Sequence, residues 1–493
     1  MLVTERGGKQ PSSRTLLRGN AFLYSVAAFA ALGQFLFGYD QGVMSGVLVN
    51  QRWLETFHYP DAVMKGLIVA IFELGALVTS VIAGWAIDHF GRVGTIRIGA
   101  FIFIIGGTLQ TAANHIALLL VGRLVGGFGV GFFSTVIPIY SAELGRAENR
   151  GVVAVFSMSI ILVGLASSDY IDLGFSWVEN DWSWRGPLFM QPVFAVILLI
   201  GTCFLPESPR WLMKRGQNDK ALAVLSIIHD REPDHPDVLR DHDQILDAVQ
   251  FEETLGKMTW RDMFVVYKRR SWIAIVVQTC VQLQGINVIP YYAPIIYEKV
   301  LGPGKLVLLM NGVTATVFVF GAWTCMLLVE RCGRRPLFLA TSLNLAIWLI
   351  LMALFTSGTV SDTRASSIMT IVCAMVFMFT FGLAWGPVAW LYVAEIFPLR
   401  ARAKGVALTG ISHWLWNFAV GLWTPPLLES IGWVTYLLYA AMCIATFVIV
   451  YFTFIETKGK TLEEIESLFG DNSQNARQRI HCDTGSNNKP PST

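Results

Sequence analysis

The chain has 493 residues, of which 54% are hydrophobic and 15% are charged, and its formal net charge is +2. A water-soluble protein would carry about a quarter charged residues. The composition therefore excludes an ordinary soluble globular protein, and the small net charge gives no indication of a nucleic-acid partner.

Twelve apolar stretches follow one another along the chain, and each is long enough to cross a bilayer core as a helix. Helices are expected because backbone polar groups in lipid must be satisfied within their own segment. The sequence therefore predicts an all-α membrane protein with twelve transmembrane helices. The predicted spans cover roughly residues 22–46, 64–86, 95–113, 117–140, 150–172, 186–206, 271–297, 305–329, 336–357, 366–394, 404–428 and 432–455.

The predicted spans form two groups of six, which we call the N-terminal and C-terminal halves. The expected divisions are an N-terminal tail at 1–20, the N-terminal half at 21–206, a linker at 207–270, the C-terminal half at 271–456 and a C-terminal tail at 457–493.

The linker is polar, but some of its apolar residues follow a helical pattern. Ala221, Val224, Leu225 and Ile228 recur at helical spacing. The pattern predicts short amphipathic helices that lie on the cytosolic membrane face.

Lysine and arginine are distributed unequally between the two sides that twelve spans would create. Of the 37 such residues, Arg123 falls within a span, six lie on one side, and the others lie at the termini, in the linker and in the loops of the opposite side. Because positive charge favours the cytosolic side, we expect both termini in the cytosol. The plasma membrane is the expected location. The six exceptions are Arg52, Lys65, Arg185, Lys299, Lys305 and Arg364.

Motifs for enzyme chemistry are absent from the sequence. The seven cysteines are not spaced as metal or redox pairs, and no phosphate-binding loop or nucleophile–base motif occurs. The sequence therefore predicts that the protein is not an enzyme and has no cofactor or metal site.

One short phrase occurs in both halves. Residues 88–92 read Asp-His-Phe-Gly-Arg, and residues 330–334 read Glu-Arg-Cys-Gly-Arg. A second pair follows in the same order, Tyr-Ser-Ala-Glu at 140–143 and Tyr-Val-Ala-Glu at 392–395. Such a parallel repeat of six spans is typical of a secondary transporter.

With these residues in view, the chain resembles the sugar porter family of the major facilitator superfamily over about residues 20–470. The motifs that carry the resemblance lie at 37–42, 122–124, 138–143, 206–210, 282, 285–287, 330–335 and 456–459. The resemblance implies transport of a sugar or sugar-like solute by alternating access, coupled to protons. It implies a functional monomer in lipid.

Asp40 and Arg123 lie inside apolar spans, where an ionisable side chain is costly and needs a partner or water. The resemblance implies that Asp40 takes up and releases the proton while Arg123 modulates its proton affinity. A fixed structural ion pair is the alternative interpretation, and facilitated diffusion without protons stays open.

Charged residues at span ends form a second set. The resemblance implies a salt-bridge network that holds the two halves together on the cytosolic side when the central site is open outward. Solvated charges that only set the topology are the alternative. The set comprises Asp88, Arg92, Glu143, Arg150, Glu207, Arg210, Glu330, Arg334, Glu395, Arg402 and Glu456.

The solute site is expected midway through the membrane, between the halves. Sugars are bound by amides and hydroxyls, and by aromatic faces that cover their C–H surfaces. For Trp390 and Tyr292, simple packing is an equally supported interpretation. The residues at matching positions are Gln282, Asn287, Tyr291, Tyr292, Trp385, Trp390 and Asn417.

The chain departs from the family at several of these positions. Met158, Val281 and Phe318 stand where the resemblance expects amides, and His413 stands where it expects an asparagine. Each lost hydrogen bond costs about 0.5–1.5 kcal/mol. His413 either contacts the solute or titrates near neutral pH, or it is packed and neutral.

The lost amides keep a second cargo hypothesis open. The alternative cargo is a non-sugar polyol, an acid such as quinate or a secondary metabolite, imported or exported. A non-transporting sugar sensor is the third hypothesis, and the short polar tail after Glu456 disfavours it.

Overall fold

The computed structural model describes residues 18–144, 150–254, 259–360, 363–460 and 462–469. The side chains of residues 150–158 lie outside the described part, and they include Arg150 and Met158. Every regular element within the described ranges is a helix.

The N-terminal half contains seven helices. The longest, α4, bends at Gly91, whose φ of 81° interrupts the helical backbone, so that it carries two predicted spans. The helices are α1 Gly19–Ala30, α2 Leu32–Val47, α3 Gln51–Thr56, α4 Ala62–Thr111, α5 Ile116–Leu144, α6 Arg150–Phe175 and α7 Trp182–Gly201.

Four short helices follow in the linker, as predicted: α8 Pro209–Lys214, α9 Asn218–His229, α10 Pro236–Thr254 and α11 Trp260–Val265. Ala221 and Leu225 of α9 are buried against Leu212 and Met213 of α8, because the apolar stripe of α9 faces inward. We call the end of the bundle where these helices lie the linker side, and the opposite end the far side.

The C-terminal half repeats the pattern, with two of its predicted spans broken in the middle. Its helices are α12 Lys268–Leu283, α13 Val288–Leu301, α14 Lys305–Cys332, α15 Arg334–Thr356, α16 Thr363–Leu383, α17 Pro387–Ile396, α18 Leu399–Ser430 and α19 Val434–Thr453, and α20 Leu462–Phe469 follows.

Each of the twelve predicted spans coincides largely with one helix, with part of the long α4, or with two consecutive helices of the described residues, and the predicted twelve-helix membrane fold is confirmed. Nine helical segments of the described residues are long and apolar enough to cross a membrane by length and composition. One buried apolar cluster includes Tyr39 and Val43 of α2 together with Tyr291 and Trp385 from the C-terminal half. The core therefore extends across the boundary between the halves, where a solute site is expected.

Candidate functional site

The break between α12 and α13 places two amides at the centre of the C-terminal half. Gly285 has a φ of +85°, a conformation that side-chain-bearing residues rarely adopt. A Cβ atom at this position would also lie 2.9 Å from the ring of Tyr439. The break leaves Gln282 in the last turn of α12 and Asn287 directly before α13, and both side chains are buried.

These amides form a hydrogen-bonded chain with α18. The Nδ2 group of Asn287 donates to Oε1 of Gln282 and to Oδ1 of Asn417, each at 2.7 Å. Nδ1 of His413 lies 3.1 Å from Nε2 of Gln282 and 3.0 Å from Oε1 of Gln278. Because a neutral imidazole nitrogen either donates or accepts, the tautomer of His413 decides which glutamine it bonds. The tautomer of His413 therefore selects between two hydrogen-bond arrangements of this chain.

Tyr291 extends this chain into the N-terminal half. Its hydroxyl lies 3.0 Å from Oδ1 of Asn417 and 2.7 Å from Oε1 of Glu73 on α4. The amide of Gln41 on α2 donates to the same hydroxyl at 3.4 Å. Tyr291 has one hydroxyl proton, so it donates either to Glu73 or to Asn417 at a given moment.

The predicted pair of Asp40 and Arg123 lies beside this point, fully buried. The NH1 group of Arg123 donates to Oδ2 of Asp40 at 2.6 Å, and their side chains are 1% and 0% exposed. Nε and NH2 of Arg123 donate to the carbonyl oxygens of Ile68 and Val69, at 3.1 and 3.3 Å. The pair therefore joins α2, α5 and α4.

The aromatic residues predicted for the site fall in different places. Trp390 lies next to His413, with ring centroids 5.2 Å apart, and Tyr292 donates to the carbonyl oxygen of Gly421 at 2.7 Å. Phe318 is buried against Phe381. All of these contacts lie within the C-terminal half.

Trp385 lies between α16 and α17. Its ring packs on Phe338 of α15, with centroids 4.5 Å apart, in an aromatic cluster that also contains Tyr392 and Phe454. Two other tryptophans, Trp390 and Trp414, each have their ring centroid 5.2 Å from that of His413.

A charged cluster closes the linker side of the N-terminal half. The guanidinium of Arg92 donates to both carboxylate oxygens of Glu143, at 2.7 and 2.6 Å. Glu207 accepts from the backbone N–H groups of Arg92 and Val93 at 2.9 and 3.1 Å. Gly91 permits this contact, because a Cβ atom there would lie 2.4 Å from Glu207.

The C-terminal half repeats this cluster almost atom for atom. Arg334 donates to both oxygens of Glu395, at 3.1 and 2.7 Å, and Glu456 accepts from the N–H groups of Arg334 and Arg335 at 3.1 and 3.0 Å. Gly333 has a φ of 89°, as Gly91 has 81°. The repeat seen in the sequence is therefore a repeat of a three-dimensional motif.

The two clusters differ in their acids. Asp88 pairs with Lys214 of α8 at 3.1 Å, whereas the corresponding Glu330 pairs with Arg334 at 2.8 Å. Burial raises the pKa of Glu207 above its ordinary value despite the N–H donors around it. Burial acts in the same direction on Glu456, but four backbone N–H donors outweigh it and lower the pKa of that carboxyl.

The remaining members of the predicted network lie close by. Arg402 is partly buried within the electrostatic reach of Glu395, and Arg210 lies in the first turn of α8. The ion pairs described among the predicted network residues each join segments of one half or of one half and the linker. The proposed link between the two halves stays a prediction.

Polar contacts between the halves are described on the far side. The Nδ2 group of Asn311 on α14 donates to Oδ1 of Asp169 at 2.8 Å and to Oγ of Ser45 at 2.9 Å. The hydroxyls of Tyr170 and Thr316 lie 3.0 Å apart. These contacts join α2 and α6 to α14 and hold the far side closed.

The family model described as "Sugar (and other) transporter" matches residues 26–469. The chain belongs to the sugar porter family of the major facilitator superfamily. Among curated relatives, MFS-type transporter criB of Aspergillus cristatus is 30% identical over 473 residues, covering 94% of this chain and 96% of criB. High-affinity glucose transporter 1 of Candida albicans is also 30% identical, covering 91% of this chain and 86% of the Candida transporter.

Solved structures agree with this assignment. XylE from E. coli in an inward open conformation matches with a TM-score of 0.76 at 25% identity, covering 90% of this chain and 99% of XylE. XylE as a proton:xylose symporter bound to 6-bromo-6-deoxy-D-glucose matches with a TM-score of 0.75 at 26% identity, covering 92% and 100%. The predicted family and fold are confirmed.

Three buried acidic residues were not selected from the sequence as site residues. Glu73 is 1% exposed, and Asp169 and Asp172 are 3% and 4% exposed. All three lie inside predicted apolar spans, the same signal that selected Asp40. The signal was present in the sequence, but the partners Tyr291 and Asn311 are distant in the chain.

Proposed function

We propose that this protein is a secondary active transporter that moves a sugar or sugar-like solute across the membrane by alternating access, together with protons. Family membership supports transport rather than enzyme activity. The proposal goes further and assigns residues to the solute site, the proton site and the cytosolic gate.

The observation that carries the solute proposal is the buried chain of amides and hydroxyls between the halves. Gln282, Asn287, Asn417 and Tyr291 are joined by hydrogen bonds of 2.7 to 3.0 Å, and the buried Nδ2 group of Asn417 has no described protein partner and is open to a solute oxygen. Solute hydroxyls would replace these mutual hydrogen bonds. When the solute leaves, the side chains bond one another again, so solute release costs little hydrogen-bond free energy. Trp390, beside His413, would cover a C–H face of the solute.

The proton role is proposed for Asp40 and Arg123. Their contact at 2.6 Å is buried on both sides, so any separation of the pair leaves a carboxylate whose charge is unfavourable. A movement of α5 relative to α2 would therefore change the proton affinity of Asp40. The naming of XylE as a proton:xylose symporter supports the same role by analogy.

For gating, the halves at 21–206 and 271–456 would rock against each other about the central site. The linker side is proposed to face the cytosol, with both termini there, and the plasma membrane is the proposed location. The far-side contacts of Asn311 with Asp169 and Ser45 would break when the site opens outward. The predicted network around Arg92 and Arg334 would then bring the linker-side ends together.

Uptake by cells that lack their own hexose carriers tests the proposal. Labelled D-glucose and D-xylose should enter with saturable kinetics, and faster at acidic external pH. Asn287→Ala should raise the half-saturating concentration, while Asn344→Ala, which alters an amide bonded to Thr380 within the C-terminal half, serves as the matched control. Correct surface expression without saturable uptake of either sugar would contradict sugar transport.

A less hydroxylated solute is the second candidate, and Phe318 favours it. This side chain is 5% exposed and packs on Phe381, where the family leads one to expect an amide. Phe318→Asn, combined with Met158→Gln, should improve hexose uptake if the apolar side chains exclude hexoses. Unchanged hexose uptake, together with saturable uptake of quinate by the native chain, would favour the second candidate.

A further inference from the structure

Glu73 is a buried acid that touches the solute site from the opposite half. It lies in α4 between apolar neighbours, is 1% exposed, and accepts a hydrogen bond of 2.7 Å from Tyr291 of α13. The contact therefore exists only while α13 lies against α4, with the two halves together at this level.

The neighbouring cation, Arg123, already donates its hydrogen bonds to groups other than Glu73. All three nitrogens of the Arg123 guanidinium donate, to Asp40 and to the carbonyl oxygens of Ile68 and Val69. Two carboxyls and one guanidinium thus share this buried region. An ionised carboxylate buried without its own cation is strongly disfavoured, so Glu73 is neutral and protonated in this closed arrangement.

The groups around Glu73 come from several helices. Asp40 of α2 and Arg123 of α5 act on it electrostatically, and Tyr291 and Tyr292 of α13 face it from the other half. Helix α18 contributes the neutral amide of Asn417, through Tyr291. None of these groups is a second cation that would stabilise an ionised Glu73.

We propose that Glu73 is a second proton-binding site, which takes up a proton from far-side water before the far side closes and holds it while Tyr291 covers it. The proposal rests on the proposed alternation between two arrangements of the halves. On opening, α13 withdraws, water reaches the carboxyl, its O–H bond breaks, and the proton passes to that water. Closing the far side therefore consumes one proton at Glu73.

Tyr291 links this proton to the solute. Its single hydroxyl proton is directed either to Glu73 or to Asn417, which also bonds Asn287. A solute hydroxyl that donates to Asn417 would direct Tyr291 towards Glu73. Because a donated hydrogen bond favours the ionised form of a carboxyl, solute binding would then oppose the protonation of Glu73 without direct contact between them.

The coupling between far-side closure and protonation can be measured without any solute, as a distance between the far-side ends of two helices. Spin labels at Val63→Cys and Ser430→Cys, in the full chain with its native cysteines replaced, report the separation of the far-side ends of α4 and α18. Pulsed dipolar spectroscopy of the purified protein gives the open and closed fractions at each pH. Acid should favour the closed form, and the slope of the logarithm of the closed-to-open ratio against pH counts the protons taken up.

Glu73→Gln should lower this slope by about one proton, while Glu73→Asp should keep it. Tyr291→Phe should leave the slope unchanged but move the midpoint to lower pH, because the closed form loses a hydrogen bond. Glu55→Gln makes the same chemical exchange at an exposed far-side position and should change nothing. An unchanged slope in Glu73→Gln, or an unchanged midpoint in Tyr291→Phe, would overturn the proposal. Failure to transport sugars leaves this readout untouched.

Discussion

The linker-side clusters and the central site were built from the same duplicated unit, yet only the clusters kept its symmetry. Arg92 with Glu143 corresponds to Arg334 with Glu395, contact for contact. The central site is unequal, since the buried ionisable groups come from the N-terminal half and the amides of the hydrogen-bonded chain come mostly from the C-terminal half, with Gln41 of α2 as the N-terminal contribution. Duplication thus preserved the parts that hold the helices together, while the halves acquired different chemistry.

Under the proposals above, this division places proton binding in one half and most of the solute site in the other. Asp40, Arg123 and Glu73 are buried ionisable residues of the N-terminal half near the centre, and Asn287 and Asn417 are buried amides of the C-terminal half. Tyr291 is the described contact at which the two sets meet. The division therefore makes separate predictions for stability, affinity and coupling.

The largest effect is expected at the buried ion pair. Arg123→Ala leaves Asp40 buried without its partner, which should destabilise the protein by about 3–5 kcal/mol. Thermal unfolding of the purified protein in detergent measures this loss. Adding Asp40→Asn should recover part of it, because the uncompensated charge is removed. A single Arg123→Ala variant as stable as the native chain would contradict the buried pairing.

The symmetric clusters should respond symmetrically. Arg92→Gln and Arg334→Gln each remove charge-assisted hydrogen bonds from a mostly buried guanidinium, at an expected cost of about 1.5–3 kcal/mol. The extra partner of Arg334, Glu330, is 69% exposed and adds little. Lys214→Gln, at an exposed pair, is the control and should have little effect. Unfolding midpoints that fall in only one of the two arginine variants would show that the clusters are not equivalent.

Affinity should depend on the amides rather than on the charges. Asn287→Ala removes the donor that bonds both Gln282 and Asn417. The loss is expected to cost about 1–2 kcal/mol of solute binding, or roughly a five- to thirty-fold rise in the half-saturating concentration. Counterflow of labelled D-glucose measures it at equal pH on both sides. An affinity change of the same size in Asn344→Ala would remove the special role of Asn287.

The smallest expected effect is a difference in pH-dependent stability between the two linker-side clusters. The lowered pKa of Glu456 means that its contribution to stability is present above the ordinary value and is lost as pH falls through the lowered one. The raised pKa of Glu207 has the opposite sign, so its contribution is lost as pH rises through the raised value.

Unfolding midpoints recorded from acid to neutral pH should therefore diverge between two variants. The deficit of Glu456→Gln relative to the native chain should shrink on acidification, and that of Glu207→Gln should grow. Identical pH profiles for the two variants would contradict the difference in their surroundings.

The sequence predicted the fold and the repeat because both depend on local patterns. Apolar stretches mark spans wherever their partners lie, and the glycine at Gly91 and Gly333 marks the same bend twice. Asp40 was selected because a charge in an apolar span is costly, and its contact with Arg123 agrees with that reasoning.

Contacts between distant helices were beyond the sequence. Glu73 carried the same signal as Asp40, but the sequence does not show which face of α4 meets Tyr291. Trp385 was expected near the solute, and that role stays a prediction; the sequence did not show that its ring packs on Phe338 near the break between α16 and α17. The orientation of a side chain near a broken helix depends on the tertiary packing around it.

Proton-driven accumulation tests the division between the halves most directly. Proteoliposomes containing the purified chain should accumulate labelled D-glucose or D-xylose when the outside is made acidic. Asp40→Asn should abolish this accumulation yet keep exchange of the same sugar, with a nearly unchanged half-saturating concentration. Unchanged accumulation in Asp40→Asn, or loss of exchange together with accumulation in a folded variant, would contradict the separation of proton and solute handling.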